Sequence, residues 1–216
     1  MSFEEEGFTE YVYKIIVVGN LGTGKTSLIN QYVEGKFTNY YRSTIGVDFA
    51  HKDIQLDKKT RIRVQLWDIG GQERTQKMTR VYYKEALGAI IVFDVTRTDT
   101  FKSVKLWKED IDNQVRTIDD KPIPVILIAN KIDLVDQENG GWNKTEEEMK
   151  QYCNENNFIK CYKTSAKTAF NVQESIEYLS QYILKNGIRH EKILGTRITD
   201  EDFEETRKKK SNNNCC

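Results

Sequence analysis

The chain has 216 residues, enough for one well-buried domain with residues to spare for tails. Its 33 Lys and Arg balance 33 Asp and Glu, so no global field favours nucleic acid or an acidic substrate, and no nucleic-acid partner is expected. Cys153, Cys161, Cys215 and Cys216 lack the spacing of a disulfide-stapled secreted domain or a zinc ribbon, which points to a reducing cytosol. The opening MSFEEEGFTE is acidic and has no apolar signal core, and no run reaches the roughly 18 apolar residues of a membrane span.

In chain order, residues 11–18 (YVYKIIVV) form a buried-strand pattern that runs into GNLGTGKT at 19–26. TSLINQYVEG reads as a helix closed by Gly35. A strand pair follows, VDFAHKDIQL and RIRVQLWD; in the second, Ile62, Val64 and Leu66 point inward and Arg61, Arg63 and Gln65 outward. Then come strand GAIIVFDV, helix TFKSVKLWKEDIDNQV, strand PVILIAN, helix TEEEMKQYCNEN, a short strand near KCYKTS and helix NVQESIEYLSQYILKNG. This alternation predicts an α/β fold, a doubly wound six-stranded sheet that is mostly parallel, with one antiparallel strand and flanking helices. Ligands then bind at the carboxyl ends of the strands. The expected organisation is an acidic extension at 1–10, one domain at 11–187 and a tail at 188–216. The tail has too few large apolar residues to offset its ordering entropy.

GNLGTGKT matches the phosphate loop G-x-x-x-x-G-K-[ST], between a strand and a helix as that reading requires. Its glycines let successive N–H groups of Leu21, Gly22, Thr23 and Gly24 turn toward phosphate oxygens at a helix N-terminus. Lys25 would neutralise the β and γ phosphates, Thr26 would ligate magnesium, and Ser27 continues the nucleotide-facing turn. At the end of the next motif, LWDIGGQE, Asp68 is placed to hold magnesium through water. The backbone of Gly71 can approach a γ-phosphate, and Gln72 can orient an attacking water. With Lys25, Gln72 is the candidate catalytic residue.

The phosphate loop alone leaves ATP and GTP open. Asn130-Lys131-Ile132-Asp133 and Thr164-Ser165-Ala166-Lys167 each follow a buried strand. The Asp133 carboxylate can accept from guanine N1–H and the N2 amine, whereas adenine offers neither donor in that arrangement. A site of this kind discriminates by roughly 10⁴–10⁵, which selects GTP and GDP.

GNLGTGKT, Thr44, WDIGGQE, NKID and TSAK, in this order, resemble the small GTPases of the Ras superfamily over residues 11–187. The fold implied is that family's P-loop NTPase G domain. The resemblance implies that Phe37 stacks on guanine and that Thr44 closes over Mg²⁺ and the γ-phosphate. YRSTIGVDFAHK, MTRVYYKEALGAIIVFDV and the terminal Cys-Cys pair are similar to the Rab branch. STIGVDFAHK, TRVYYKEALGA and WKEDID look most like its subgroup of lysosome-related organelles, melanosomes and phagosomes. The alternative within the fold is an Arf-like or Gα-like protein, because Gly70 stands where Ras and Rab relatives usually have alanine. Ser2, where a myristoylated Arf needs glycine, opposes that alternative. A GTP-binding scaffold with negligible hydrolysis is the alternative in function, and a metabolite kinase would need an acceptor site that the sequence does not offer.

By the Rab resemblance, Ile45, Gly46, Val47, Asp48, Phe49, Trp67 and Tyr82 form an effector surface, and the partners are effectors, an exchange factor, a GTPase-activating protein and a prenyl carrier of the GDP-dissociation-inhibitor kind. Two lipid chains anchor stably where one is marginal, so prenylated Cys215 and Cys216 would hold the chain on a membrane, aided by the basic run at 207–210. The expected location is the cytoplasmic face of endolysosomal, phagosomal or lysosome-related membranes, with a carrier-bound cytosolic pool. Thr75 departs from an aromatic position of the Rab pattern. Leu21 adds bulk where Ras-like proteins need room for glutamine and an arginine finger, so intrinsic hydrolysis is expected to be slow and dependent on an activating protein.

Overall fold

The computed structural model describes residues 9–40, 42–72, 79–135 and 144–188. Six strands, β1 (Thr9–Val18), β2 (Val47–Gln55), β3 (Thr60–Ile69), β4 (Gly88–Asp94), β5 (Val125–Asn130) and β6 (Lys160–Lys163), form one sheet in the order β2-β3-β1-β4-β5-β6. Only the hairpin-linked β2–β3 pair is antiparallel; the remaining pairs are parallel, so β1, β3, β4, β5 and β6 all end at one edge. This is the sheet expected from the sequence.

The two-residue period of the strands divides the core into two layers. Tyr13, Ile15 and Val17 of β1 pack with Ile90, Val92, Ile126 and Ile128 beneath α1 (Lys25–Glu34) and α6 (Val172–Lys185). Ile16 and Val18 face the other way, with Ala89, Ile91, Phe93, Val125 and Leu127. α4 (Val104–Gln114), with Trp107 and Ile111, and α5 (Glu146–Glu155), with Met149 and Cys153, cover that side. The expected alternation in β3 is present: Ile62, Val64 and Leu66 are buried while Arg61, Arg63 and Gln65 are half-buried. α5 starts with a reciprocal capping box between Thr145 and Glu148, and α1 stops at Gly35, whose left-handed φ of 66° suits glycine.

Two boundaries differ from the sequence-based expectation. β1 begins at Thr9, ahead of Tyr11, because the Thr9 N–H bonds to the Lys59 carbonyl at 2.7 Å and the Glu10 carboxylate pairs with Arg61 and Arg63 at 2.7 and 3.2 Å. The helix expected at 100–115 begins at Thr98 and divides into α3 (Thr98–Lys102) and α4. At the break, Ser103 Oγ donates to the Asp99 carbonyl at 3.0 Å, beside the Ser103 N–H that bonds the same carbonyl at 3.2 Å, and accepts from Asn20 Nδ2. A short helix that the sequence pattern did not reveal, α2 (Thr79–Tyr83), precedes β4.

Candidate functional site

The carboxyl edge of the sheet opens into a cavity of about 520 Å³. Its wall contains Leu21, Gly22, Gly24, Lys25, Thr26 and Ser27 from the loop after β1 and the start of α1. Gly71 follows β3, Asn130, Lys131 and Asp133 follow β5, and Ala166 and Lys167 follow β6. Phe37 and Thr44 reach it from the segment between α1 and β2. Two expected nucleotide contacts are not in the wall. Thr23 is fully buried with its hydroxyl on the Asn20 carbonyl at 3.0 Å, and Ser165 is buried with its hydroxyl on Asp133 Oδ1 at 2.6 Å. Both support the residues that do line the cavity.

Close approach explains two glycines. Gly24 has a φ of +91°, and a Cβ there would stand 2.5 Å from Asn130 Nδ2. A Cβ on Gly71 would stand 2.3 Å from the Leu21 nitrogen, so the backbone after β3 lies directly against the phosphate loop. Next to it, the buried Gly70 donates its N–H to the Gly46 carbonyl at 2.9 Å, which joins the ends of β3 and β2.

Single side chains tie the two ends of the cavity together. Asn130 Nδ2 donates to the Thr23 carbonyl at 2.9 Å, while its Oδ1 accepts from Thr164 Oγ1 and the Ala166 N–H. Lys131, held in the left-handed region at φ 69°, donates its ammonium to the Gly22 carbonyl at 2.7 Å and pairs with Asp94 at 2.7 Å. Asp94 is buried, and its carboxyl lies below the usual range. Burial alone would raise it, but hydrogen bonds from Lys131 and Thr96 outweigh that effect.

Lys25 is buried and donates to the Gly19 and Asn20 carbonyls at 2.8 and 3.2 Å. Burial brings its ammonium down to about 8, with Asp68 opposing the shift and Arg97 adding to it. The three expected metal ligands meet: Thr26 Oγ1 lies 2.5 Å from Asp68 Oδ2, Thr44 Oγ1 lies 3.1 Å from the same oxygen, and the two hydroxyls are 2.9 Å apart. Burial pushes the Asp68 carboxyl up, and Asp68 Oδ1 is buried with no hydrogen-bond partner among the described residues. An all-oxygen set around a buried, underused carboxylate fits a hard divalent cation. Asp68 stands behind Thr26 and Thr44, outside the cavity wall, and Gln72 is exposed at the turn after Gly71.

On the outer surface Ile45 is 89% and Phe49 73% exposed, so Phe49 is not a core residue. Trp67 and Tyr82 are half-buried against the core. The Phe49 and Trp67 rings lie 6.0 Å apart, and the Lys14 ammonium sits 3.6 Å from the Trp67 ring centre. Cys153 is buried, Cys161 is half-buried, and both are free. Thr75, the run at 207–210, Cys215 and Cys216 lie outside the described residues.

Sequence reasoning missed Asn30, Thr38, Asn39, Tyr40, Arg42 and Leu134 in the cavity wall, and Asn20, Asp94, Arg97 and Trp107 behind the phosphate loop. Only Asp94 carried a usable signal, a carboxylate at the end of a buried strand on the ligand edge.

A phosphate loop facing a base motif on this sheet defines a GTP-binding G domain, and family comparison agrees. The Ras family model matches residues 14–185, and the chain belongs to the Ras family. It is similar to "Ras-related protein Rab-32A" of Dictyostelium discoideum, with 53% identity over 195 residues, covering 89% of this chain and 88% of the relative. Similarity extends to "Ras-related protein Rab-32" of Homo sapiens, with 46% identity over 177 residues and coverages of 82% and 77%. With "Ras-related protein Rab-7L1" of Homo sapiens it shares 36% identity over 210 residues, with coverages of 97% and 100%. Within the family it is a Rab-type small GTPase, which binds and hydrolyses GTP and regulates membrane trafficking.

Proposed function

We propose that the cavity holds GTP or GDP with guanine against Asp133 and the phosphates over residues 21–26, and that Thr26, Thr44 and Asp68 hold Mg²⁺. The observation that carries this reading is the pairing of Asn130 and Lys131 with the Thr23 and Gly22 carbonyls, which couples the base end to the phosphate end at fixed spacing. Phe37 covers the base, and Ser165 orients the Asp133 carboxylate toward it. Lys131, Ala166 and Lys167 complete the base pocket.

When bound, the metal neutralises charge on the β and γ phosphates. Lys25 adds a second fixed positive charge, Gln72 orients the attacking water, and the Gly71 backbone meets the γ-phosphate. Thr44 and Gly71 are drawn inward in the GTP state and order the loops at 36–46 and 69–80; hydrolysis releases them. Effectors read the ordered surface, including Ile45, Gly46, Val47, Asp48, Phe49, Trp67 and Tyr82. An exchange factor and an activating protein act on the same loops, and Leu21, which lines the cavity, keeps unassisted hydrolysis slow.

The domain at 11–187 is followed by a tail at 188–216 whose Cys215 and Cys216 carry prenyl groups. These place the protein on endolysosomal, phagosomal or lysosome-related membranes until a carrier of the GDP-dissociation-inhibitor kind extracts it. Among the described residues no helix is long and apolar enough to cross a membrane.

Chelation tests the metal assignment. Excess EDTA is expected to speed release of a fluorescent GDP about tenfold or more, the loss of at least one charge-assisted interaction. A release rate unmoved by EDTA would remove Thr26, Thr44 and Asp68 from the nucleotide's retention.

A further inference from the structure

We infer that Arg97 is a positioning residue for GTP hydrolysis, holding the Leu21 carbonyl so that the Gly22 N–H faces the phosphates. Arg97 precedes α3 and belongs to none of the nucleotide motifs. Its Nη2 donates to the Leu21 carbonyl at 2.7 Å, while its Nε lies 3.4 Å from Asp94 Oδ2. The same carboxylate oxygen is 2.7 Å from Lys131 Nζ, which donates to the Gly22 carbonyl. One buried carboxylate therefore anchors two cations, and each cation holds one of two successive carbonyls of the phosphate loop.

The anchor is itself fixed. Asp94 Oδ1 accepts from the Thr96 N–H at 2.9 Å and from its hydroxyl at 2.7 Å. Asn20, one residue before Leu21, is tied to the same side of the molecule. Its Oδ1 accepts from Trp107 Nε1 at 2.9 Å, and its Nδ2 donates to Ser103 Oγ at 3.0 Å.

The consequence follows from peptide geometry. A planar trans peptide points its C=O and N–H in opposite directions. Leu21 and Gly22 line the cavity, whereas Arg97 does not, so the carbonyl that Arg97 holds points out of the cavity and the Gly22 N–H points in. A donor oriented before the reaction stabilises charge as it develops on the phosphates and needs no reorganisation at that moment. Lysine would not substitute fully, because Arg97 meets the Leu21 carbonyl and Asp94 through two different nitrogens, Nη2 and Nε, of one planar group, and a single ammonium cannot occupy both positions.

This inference rests on the reading that the cavity holds the phosphates of GTP. The test uses the full-length protein and its Arg97→Ala and Arg97→Lys variants, each loaded with GTP. Single-turnover hydrolysis and GDP release are measured separately, and thermal melts check folding. Arg97→Ala is expected to slow the single turnover about tenfold, the rate equivalent of one net hydrogen bond, and Arg97→Lys about threefold. A purely structural role would speed GDP release and leave the chemical step at the parent rate. Arg97→Ala hydrolysing within about twofold of the parent overturns the inference, as does a parent-like Arg97→Lys if the alanine variant does not fold. Failure of the parent itself to bind guanine nucleotide would instead overturn the reading of the cavity.

Discussion

Asp133→Asn is expected to weaken GTP and GDP binding by about 10²–10⁴, measured by displacement of a fluorescent guanine nucleotide. The carboxylate is acceptor-only, and one of its oxygens is held by the Ser165 hydroxyl at 2.6 Å. Asparagine can still accept from Ser165 with its oxygen, but its amide then turns two donors toward guanine N1–H and N2, which are also donors. Two charge-assisted hydrogen bonds are lost, each worth about 1.5–3 kcal/mol, and the affinity range follows from their sum. A base with a carbonyl at C2, as in xanthine, would accept from the new amide, so the variant should favour xanthosine diphosphate over GDP. Asp133 is partly exposed in a short 3-10 turn, Ile132–Leu134, so the thermal midpoint should barely move. Binding of GDP within about threefold of the parent would mean that the base is read elsewhere.

Gln72→Leu should slow single-turnover GTP hydrolysis by about one to two orders of magnitude, the cost of leaving a reacting water poorly placed. Nucleotide affinity should change little, because Gln72 is exposed beside Gly71 and is not part of the cavity wall. Leucine matches the size of the side chain but can neither donate to nor accept from water. In cells the variant should accumulate in the GTP form and stay longer on membranes. An unchanged hydrolysis rate would assign water orientation to another group and leave Gln72 a turn residue.

Motifs were legible wherever a short stretch of chain carries both the element and the chemistry. GNLGTGKT lies between a strand and a helix, and Asn130 and Asp133 stand at a strand end. The alternation of strands and helices, which implies parallel strands, fixed which edge those ends share. Thr23 and Ser165 belong to the right motifs but are buried with their hydroxyls on the Asn20 carbonyl and Asp133, because a loop needs internal hydrogen bonds as well as ligand contacts. Asn20, Asp94, Arg97 and Trp107 were not legible as a group: the Trp107 and Arg97 bonds to the phosphate loop span 87 and 76 residues, and no local pattern records such pairings. Thr38, Asn39, Tyr40 and Arg42 in the wall were also hidden, since they lie outside any helix or strand and carry no periodicity to read. The division at Ser103 was hidden too, because amphipathic spacing runs on through it and its side-chain bonds to the Asp99 carbonyl and the Asn20 amide leave no mark in that spacing.

The most direct test of the guanine-nucleotide switch is to denature freshly purified full-length protein and separate the released nucleotide against GTP, GDP, ATP and ADP standards. Stoichiometric guanine nucleotide is predicted, with a surviving GTP fraction if Leu21 slows hydrolysis. An adenine nucleotide, or none, would contradict the assignment of Asp133 and with it the cavity as a GTP site.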